Sequence, residues 1–344
     1  QCSEQKNFNI YSFKITHGCC YNFIDEISKI FIFFKFFILQ MNKILLIGSS
    51  GFIGSHLIKK INMPRENKLM VILHKNFDFF DYEDFDAIVS DFTDVDLYHF
   101  KRFKPDTIFH LGRNRGSGFI GRFLAANKGK NGNRRIIKYL LKTNLNPRVF
   151  YFSGTLVYGN KGSEIADEKS TINPTSFSRE YYIAEKPWYE ESIKLNANIS
   201  MLRLPWVVGK GSWFYHHYIQ IALKYGYVPL YSKGENWMSL IDVNDCCSLA
   251  LHISRQSQIF QIINLFNPNL IVRQTEFVEM ISEVLNIPVR RIGLRRKIFS
   301  DNAFSEAMGF SLKVNTIHMD LYNDYHFKTN DLKTLIEQNI KHDL

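Results

Sequence analysis

The chain has 344 residues, 45% of them hydrophobic, with a formal net charge of +10. That length and apolar content suffice for a full core, organised as one large domain and a smaller one. The positive charge is scattered among lysines, densest at Arg290-Arg291 and Arg295-Arg296-Lys297. A scattered charge points to composition bias or an anionic ligand, not to nucleic acid. The five cysteines (Cys2, Cys19, Cys20, Cys246, Cys247) show no CxxC or metal-ligand spacing, and no histidine pair has zincin spacing. Reduced thiols in a cytoplasmic protein, with no metal, are therefore expected.

Residues 1–40 read as an extension outside the fold. Ile30 to Leu39 is strongly apolar, but Lys35 interrupts it and the run is too short to span a bilayer. It lacks a small-residue cleavage site, so a secretory signal is not expected. Met41, two residues before the first strand, reads as the natural start; a membrane-touching anchor is the alternative for the preceding segment.

The organising stretch is Lys43 to Lys60. An apolar run, Ile44 to Ile47, is followed at once by Gly48, Gly51 and Gly54 and then by a helical pattern including Phe52 and Ile53. This is the order of a buried parallel strand, a tight turn and a helix N-terminus, the context that binds a dinucleotide. Glycines let backbone approach a pyrophosphate, and free amides of the first helical turn hold its charge.

Leu69 to Leu73 reads as the second strand. At its end, where dinucleotide folds place an acid for the adenosine ribose, stand His74, Lys75 and Asn76. A cation there suits the extra phosphate of NADP, unless Lys75 is a solvated loop lysine. Asp86 to Ser90 is a third strand, and Asp91 after it is a candidate for the adenine edge or a turn former. Asp106 to Gly112 is a fourth strand, bringing Leu111 and Gly112 to the cofactor. The 113–133 stretch, rich in Gly, Arg and Asn, shows little regular pattern and is expected to be a lid or a connector.

Val149 to Gly159 is the fifth strand and its exit loop. Tyr182 and Lys186 follow on a helix, four residues apart and so on one face. Such a pair arises by chance roughly once in a chain of this composition; its place after a fifth strand gives it weight. Further strands are expected at Ile199–Trp206, Ser239–Val243 and Gln261–Leu265. Gln274 to Leu285 has helical spacing of its apolar residues.

The ordered set Gly48-xx-Gly51-xx-Gly54, Val157-Tyr158-Gly159 and Tyr182-xxx-Lys186-xxx-Glu190 resembles the extended short-chain dehydrogenase/reductases, the NAD(P)-dependent epimerase/dehydratase group. The resemblance spans roughly Met41 to Leu285. It implies an α/β fold: a Rossmann doubly wound parallel sheet over 41–205, with 239–265 returning to it, and a smaller substrate region from 206–238 and 266–344. It makes Tyr182 the acid/base for a substrate hydroxyl and Lys186 the ligand of the nicotinamide ribose. The family usually has Ser or Thr four residues before the tyrosine of the Val-Tyr-Gly loop. Here that position is Gly154, with Ser153 and Thr155 beside it as the candidate hydroxyls. The acidic pair of the family's dehydratases is also missing, since Leu156 and Val157 stand there, which argues against 4,6-dehydration.

The expected function is therefore epimerisation or oxidoreduction of a nucleotide sugar with NADP or NAD. Arg290, Arg291, Arg295 and Arg296 are candidates for a substrate diphosphate or for a solvated basic loop. An NADPH-dependent carbonyl reductase and a catalytically silent cofactor-binding scaffold are the alternatives. Monomer and homodimer both stay open.

Overall fold

The apolar run Lys43–Ile47 forms strand β1, buried from Ile44 onward, as a strand covered on both faces must be. In a computed structural model of the protein, residues 42–62, 67–74, 85–174, 176–195, 198–258, 260–293 and 303–340 are described. The expectations for residues 1–40, Lys75, Arg295 and Arg296 lie outside the described residues.

From β1 the chain runs through α1 (Phe52–Asn62), β2 (Lys68–Leu73), β3 (Asp86–Val89), α2 (Tyr98–Phe103), β4 (Thr107–His110), α3 (Gly118–Lys142) and β5 (Arg148–Gly154). Then come a 3₁₀ turn (Thr155–Tyr158), β6 (Ile165–Ala166), α4 (Arg179–Leu195), β7 (Ile199–Leu204) and β8 (Trp206–Val208). The remainder comprises α5 (Gln220–Tyr225), β9 (Val228–Tyr231), β10 (Trp237–Asp242), α6 (Val243–Ser254), β11 (Ile262–Asn264), β12 (Ile271–Arg273) and α7 (Gln274–Leu285). It ends with β13 (Val289–Ile292), α8 (Ala303–Gly309), β14 (Lys313–Val314) and α9 (Leu332–Ile340).

Seven strands make the main sheet in the order β11-β7-β5-β4-β1-β2-β3, every neighbour parallel. The chain builds outward from β1 to β3 on one side and from β4 to β11 on the other. Between β1 and β4 the winding reverses, and such a switch point opens a crevice at the carboxyl ends of the strands. Alternate residues feed the two faces: Ile44 and Leu46 enter one core with Leu57, Cys246 and Cys247, while Leu45 and Ile47 enter the other with Ile136 and Trp188. A third core, from Val208 to Ile340, holds α7 and α9 together around Phe277 and Ile336. β10 lies in a separate sheet between β12 and β8, and β11 joins the main sheet.

The expected lid or connector at 113–133 is instead mostly helix: α3 starts at Gly118 and runs unbroken to Lys142. Glycine and asparagine lower helix propensity, which hides the element from sequence. Tertiary packing overrides them. The buried face of α3 reads Ala126, Gly129, Gly132, Ile136, Leu140, small where the helix must come close to the chain after β3. A Cβ on Gly132 would stand 2.7 Å from the Thr93 methyl.

Candidate functional site

A cavity of about 1460 Å³ opens at the carboxyl ends of β1, β2, β4, β5 and β7. Single drug-sized ligands occupy roughly 300–1,000 Å³, so the space suits two ligands side by side. Gly48, Gly51, Phe52, Ile53, Gly54, Leu111 and Gly112 all line it. Gly48 sits at φ +84°, and a Cβ on Gly54 would meet its carbonyl oxygen at 2.3 Å, so this turn admits glycine alone. The first amides of a helix have no partner within it, and Gly51 to Gly54 at the start of α1 line the cavity. These features fit a dinucleotide pyrophosphate.

At the adenosine end, His74 is exposed on the cavity edge, and among the described residues no carboxylate stands at the end of β2. Asp91 lines the same end. Its Oδ1 accepts from the Thr93 amide at 3.0 Å, and its Oδ2 from Asn114 Nδ2 at 2.9 Å and Lys128 Nζ at 3.1 Å. Burial alone would raise this carboxyl, but the Thr93 amide and the Lys128 ammonium hold it below its ordinary range. A carboxylate has about four acceptor sites, so Asp91 keeps room for one more donor.

The reacting end departs from expectation. Tyr182 and Lys186 are not among the residues lining the cavity. Lys186 is 51% exposed and pairs with Glu190 at 3.5 Å, one turn along the helix. Tyr181 lines the cavity instead, under the Arg113 guanidinium, whose carbon lies 4.1 Å above the ring centroid. One residue along a helix turns a side chain by about 100°, and here it is Tyr181, not Tyr182, that borders the cavity. The register follows from burial: Ala184, Glu185 and Trp188 are buried at 5%, 1% and 0% exposure, which swings Lys186 to solvent. Pro187 lies inside the helix and removes an amide there, a feature that the tyrosine–lysine spacing does not reveal.

Four residues after Tyr181 stands Glu185, and it does not reach the cavity lining either. It forms a buried ion pair with Arg203 of β7, whose Nε donates to Oε2 at 3.4 Å. Arg203 also lies over the Tyr158 ring at 5.0 Å, and Tyr158 Oη donates to Asn264 Oδ1 at 2.8 Å. This network ties α4, β7, the exit of β5 and β11 together behind the site. On the other side, Asn133 Oδ1 meets His110 Nε2 at 2.9 Å, and Asn133 Nδ2 donates to the Ala184 carbonyl at 2.8 Å. Burial lowers His110 to about 4, so it stays neutral and its Nδ1 accepts the Gly112 amide at 3.1 Å.

β5 ends at Gly154 and the chain bends at once into the 3₁₀ turn; Ser153, Gly154 and Thr155 all border the cavity. Ser153 is 5% exposed, and among the described residues its Oγ has no hydrogen-bond partner. Phe177, Trp206, Trp213 and Phe304 wall the far end, with Trp213 and Phe177 centroids 4.9 Å apart. Arg290 and Arg291 lie elsewhere, exposed on β13, with Arg290 over Tyr227 at 5.1 Å. Among the described residues, the arginines that do line the cavity are Arg113, Arg115 and Arg122. Nothing in the spacing of the sequence marks these three.

A parallel sheet with a glycine turn and helix at its switch point defines a dinucleotide-binding α/β protein. Residues 44–265 match the NAD dependent epimerase/dehydratase family, and the chain belongs to that family of enzymes. Among curated proteins, none matches the sequence. Among solved structures, dTDP-glucose 4,6-dehydratase from Bacillus anthracis, in complex with NAD, is 15% identical with a TM-score of 0.72, covering 87% of this chain and 96% of that one. UDP-glucuronic acid 4-epimerase from Bacillus cereus, in complex with UDP-glucuronic acid and NAD, is 16% identical with a TM-score of 0.72, covering 87% and 98%. UDP-N-acetylglucosamine 4-epimerase from Methanobrevibacter ruminantium is 17% identical with a TM-score of 0.70, covering 88% and 99%.

Proposed function

We propose that the protein uses NAD or NADP to oxidise, and in epimerisation to return hydride to, a carbinol carbon of a nucleotide-linked sugar, through a transient ketone. Tyr181 is the group that exchanges the proton of the reacting hydroxyl. The observation that carries this reading is Tyr181 on the cavity wall with the Arg113 cation 4.1 Å from its ring. Gly48 to Gly54 would hold the pyrophosphate and Asp91 the adenine edge. The bound nicotinamide would supply the hydride acceptor and donor. Ser153, buried with its hydroxyl unspent, is suited to hydrogen-bond the reacting oxygen, the duty that Gly154 has no side chain to perform.

The test is single-turnover reduction of bound cofactor with UDP-glucuronic acid, UDP-N-acetylglucosamine, UDP-galactose and dTDP-glucose. Tyr181→Phe is expected to slow it ~10²–10⁴-fold, the usual contribution of a general acid–base group. Tyr182→Phe and Lys186→Ala are expected to stay within a few-fold of the parent. A large loss in Tyr182→Phe with Tyr181→Phe unaffected would overturn the assignment.

The aromatic wall of Phe177, Trp206, Trp213 and Phe304 favours a second reading, reduction of an apolar ketone. Net consumption of NADPH by an aromatic ketone, with no turnover of sugar nucleotides, would establish it.

A further inference from the structure

The helix α3 carries a surface that the chemistry in the cavity does not use. Phe119, Ile120, Phe123 and Leu124, in its first two turns, are 65%, 71%, 53% and 63% exposed. Phe119 and Phe123, and likewise Ile120 and Leu124, stand four residues apart, which stacks the two pairs in adjacent columns of one face. Single apolar residues are normal on a surface, but four large ones together mark a place of interaction. Of the four, Leu124 alone borders the cavity, so the patch lies at the cavity mouth. Further along, the outward stripe turns basic: in helical steps from Ile120 and Leu124 it passes Asn127 and Asn131 and reaches Arg134, Lys138 and Leu141, with Lys142 beside them. Arg134, Lys138, Leu141 and Lys142 are all exposed. α3 holds seven Lys or Arg in its 25 residues and no Asp or Glu. Lys128 pairs with Asp91 and Asp94, Arg135 donates to the Val95 carbonyl, and Arg134 lies 3.7 Å from Glu190. Lys138 and Lys142 have no ion pair among the described residues.

We infer that this face of α3 docks on an anionic lipid surface. An interfacial helix needs large apolar side chains that enter the boundary between headgroups and acyl chains, and cations that meet anionic headgroups; this face carries both. Phe119, Ile120, Phe123 and Leu124 insert, and Lys138 and Lys142 sit among the phosphates roughly 30 Å along the helix axis. Charge decides the occupant. A second copy laid two-fold on this face would set each subunit's cations against a helix with no acid of its own. A nucleic acid would engage the cations and leave the apolar turns in water. An anionic bilayer satisfies both halves at once. Docked so, the cavity mouth at Leu124 lies beside the bilayer. The docking does not depend on the role of Tyr181.

The experiment is flotation of the full chain with vesicles of phosphatidylcholine alone and of phosphatidylcholine mixed with phosphatidylglycerol. The parent is expected to float with the anionic vesicles and much less with the neutral ones, and added salt should weaken the binding. Phe119→Ser together with Phe123→Ser should weaken it at least ~10-fold, since two apolar side chains no longer leave water. Lys138→Gln together with Lys142→Gln should weaken it on the order of 10-fold, at about fivefold for each cation near the surface. All four side chains are exposed, and thermal melts check that the variants fold; if the serine pair melts early, the lysine pair and the salt dependence carry the test. No binding to anionic vesicles, equal binding to both kinds, or binding that survives in the folded serine pair overturns the inference. Light scattering without lipid covers the other occupant: a dimer that the serine pair dissociates makes a second copy the partner of this face and overturns it too.

Discussion

Gly154→Ser tests whether the reacting end of the cavity lacks one donor. The backbone at Gly154 has φ −136° and ψ 144°, extended values that any residue adopts. A Cβ built there meets the Leu204 carbonyl oxygen at 3.8 Å and the Tyr181 ring carbons at 3.8 and 3.9 Å, all ordinary contacts. The substitution should therefore fold, and by restricting the unfolded chain it should add ~0.4–1 kcal/mol of stability. Its hydroxyl would stand beside the Tyr181 ring, where a substrate oxygen gains and loses charge. One such donor is worth ~10²–10³ in rate when it acts alone. Ser153 shares the duty, so the expected gain is about 10-fold in the parent and larger when Ser153 is replaced by Ala. Single-turnover cofactor reduction measures it, with denaturant melts in parallel. A folded Gly154→Ser protein that reacts no faster in either background would refute the placement of the reacting oxygen between Ser153, residue 154 and Tyr181.

Two further outcomes follow from the cavity and its support. NADP is expected to bind more tightly than NAD, because His74 and not a carboxylate follows β2; His74→Asp should weaken NADP selectively by ~1 kcal/mol or more, from repulsion at contact distance. Isothermal titration with both cofactors checks this, and equal affinities in the parent would refute it. His110 should make the fold acid-sensitive: its stabilising neutral form is complete above the ordinary value of 6.5 and is lost as pH falls towards about 4. At ~1.4 kcal/mol per pH unit across that window, the loss is ~3 kcal/mol. Urea midpoints at pH 7 and pH 4.5 should fall less in His110→Gln than in the parent, and equal falls would refute it.

Much of the architecture was legible from residue order. The run Ile44–Ile47, the three glycines and the helical pattern after them are local features, and each dictates its own backbone. A strand buried on both faces must be continuously apolar, and a turn at φ +84° must be glycine. The same locality exposed the gap at Gly154. What sequence spacing could not decide was rotation. Tyr181-Tyr182 and Glu185-Lys186 offer two i,i+4 pairs, and which pair faces inward depends on the whole buried stripe of α4 against the sheet and α3. Packing around Ala184 and Trp188 chose Tyr181 and turned Lys186 to solvent. The long helix α3 was hidden for a related reason. Its glycines oppose helix in isolation, and only the chain at Thr93, brought alongside by the sheet, makes their missing side chains favourable. Arg113 and Glu180 are unremarkable in sequence because they lie far apart along the chain; folding alone gathers them at one cavity.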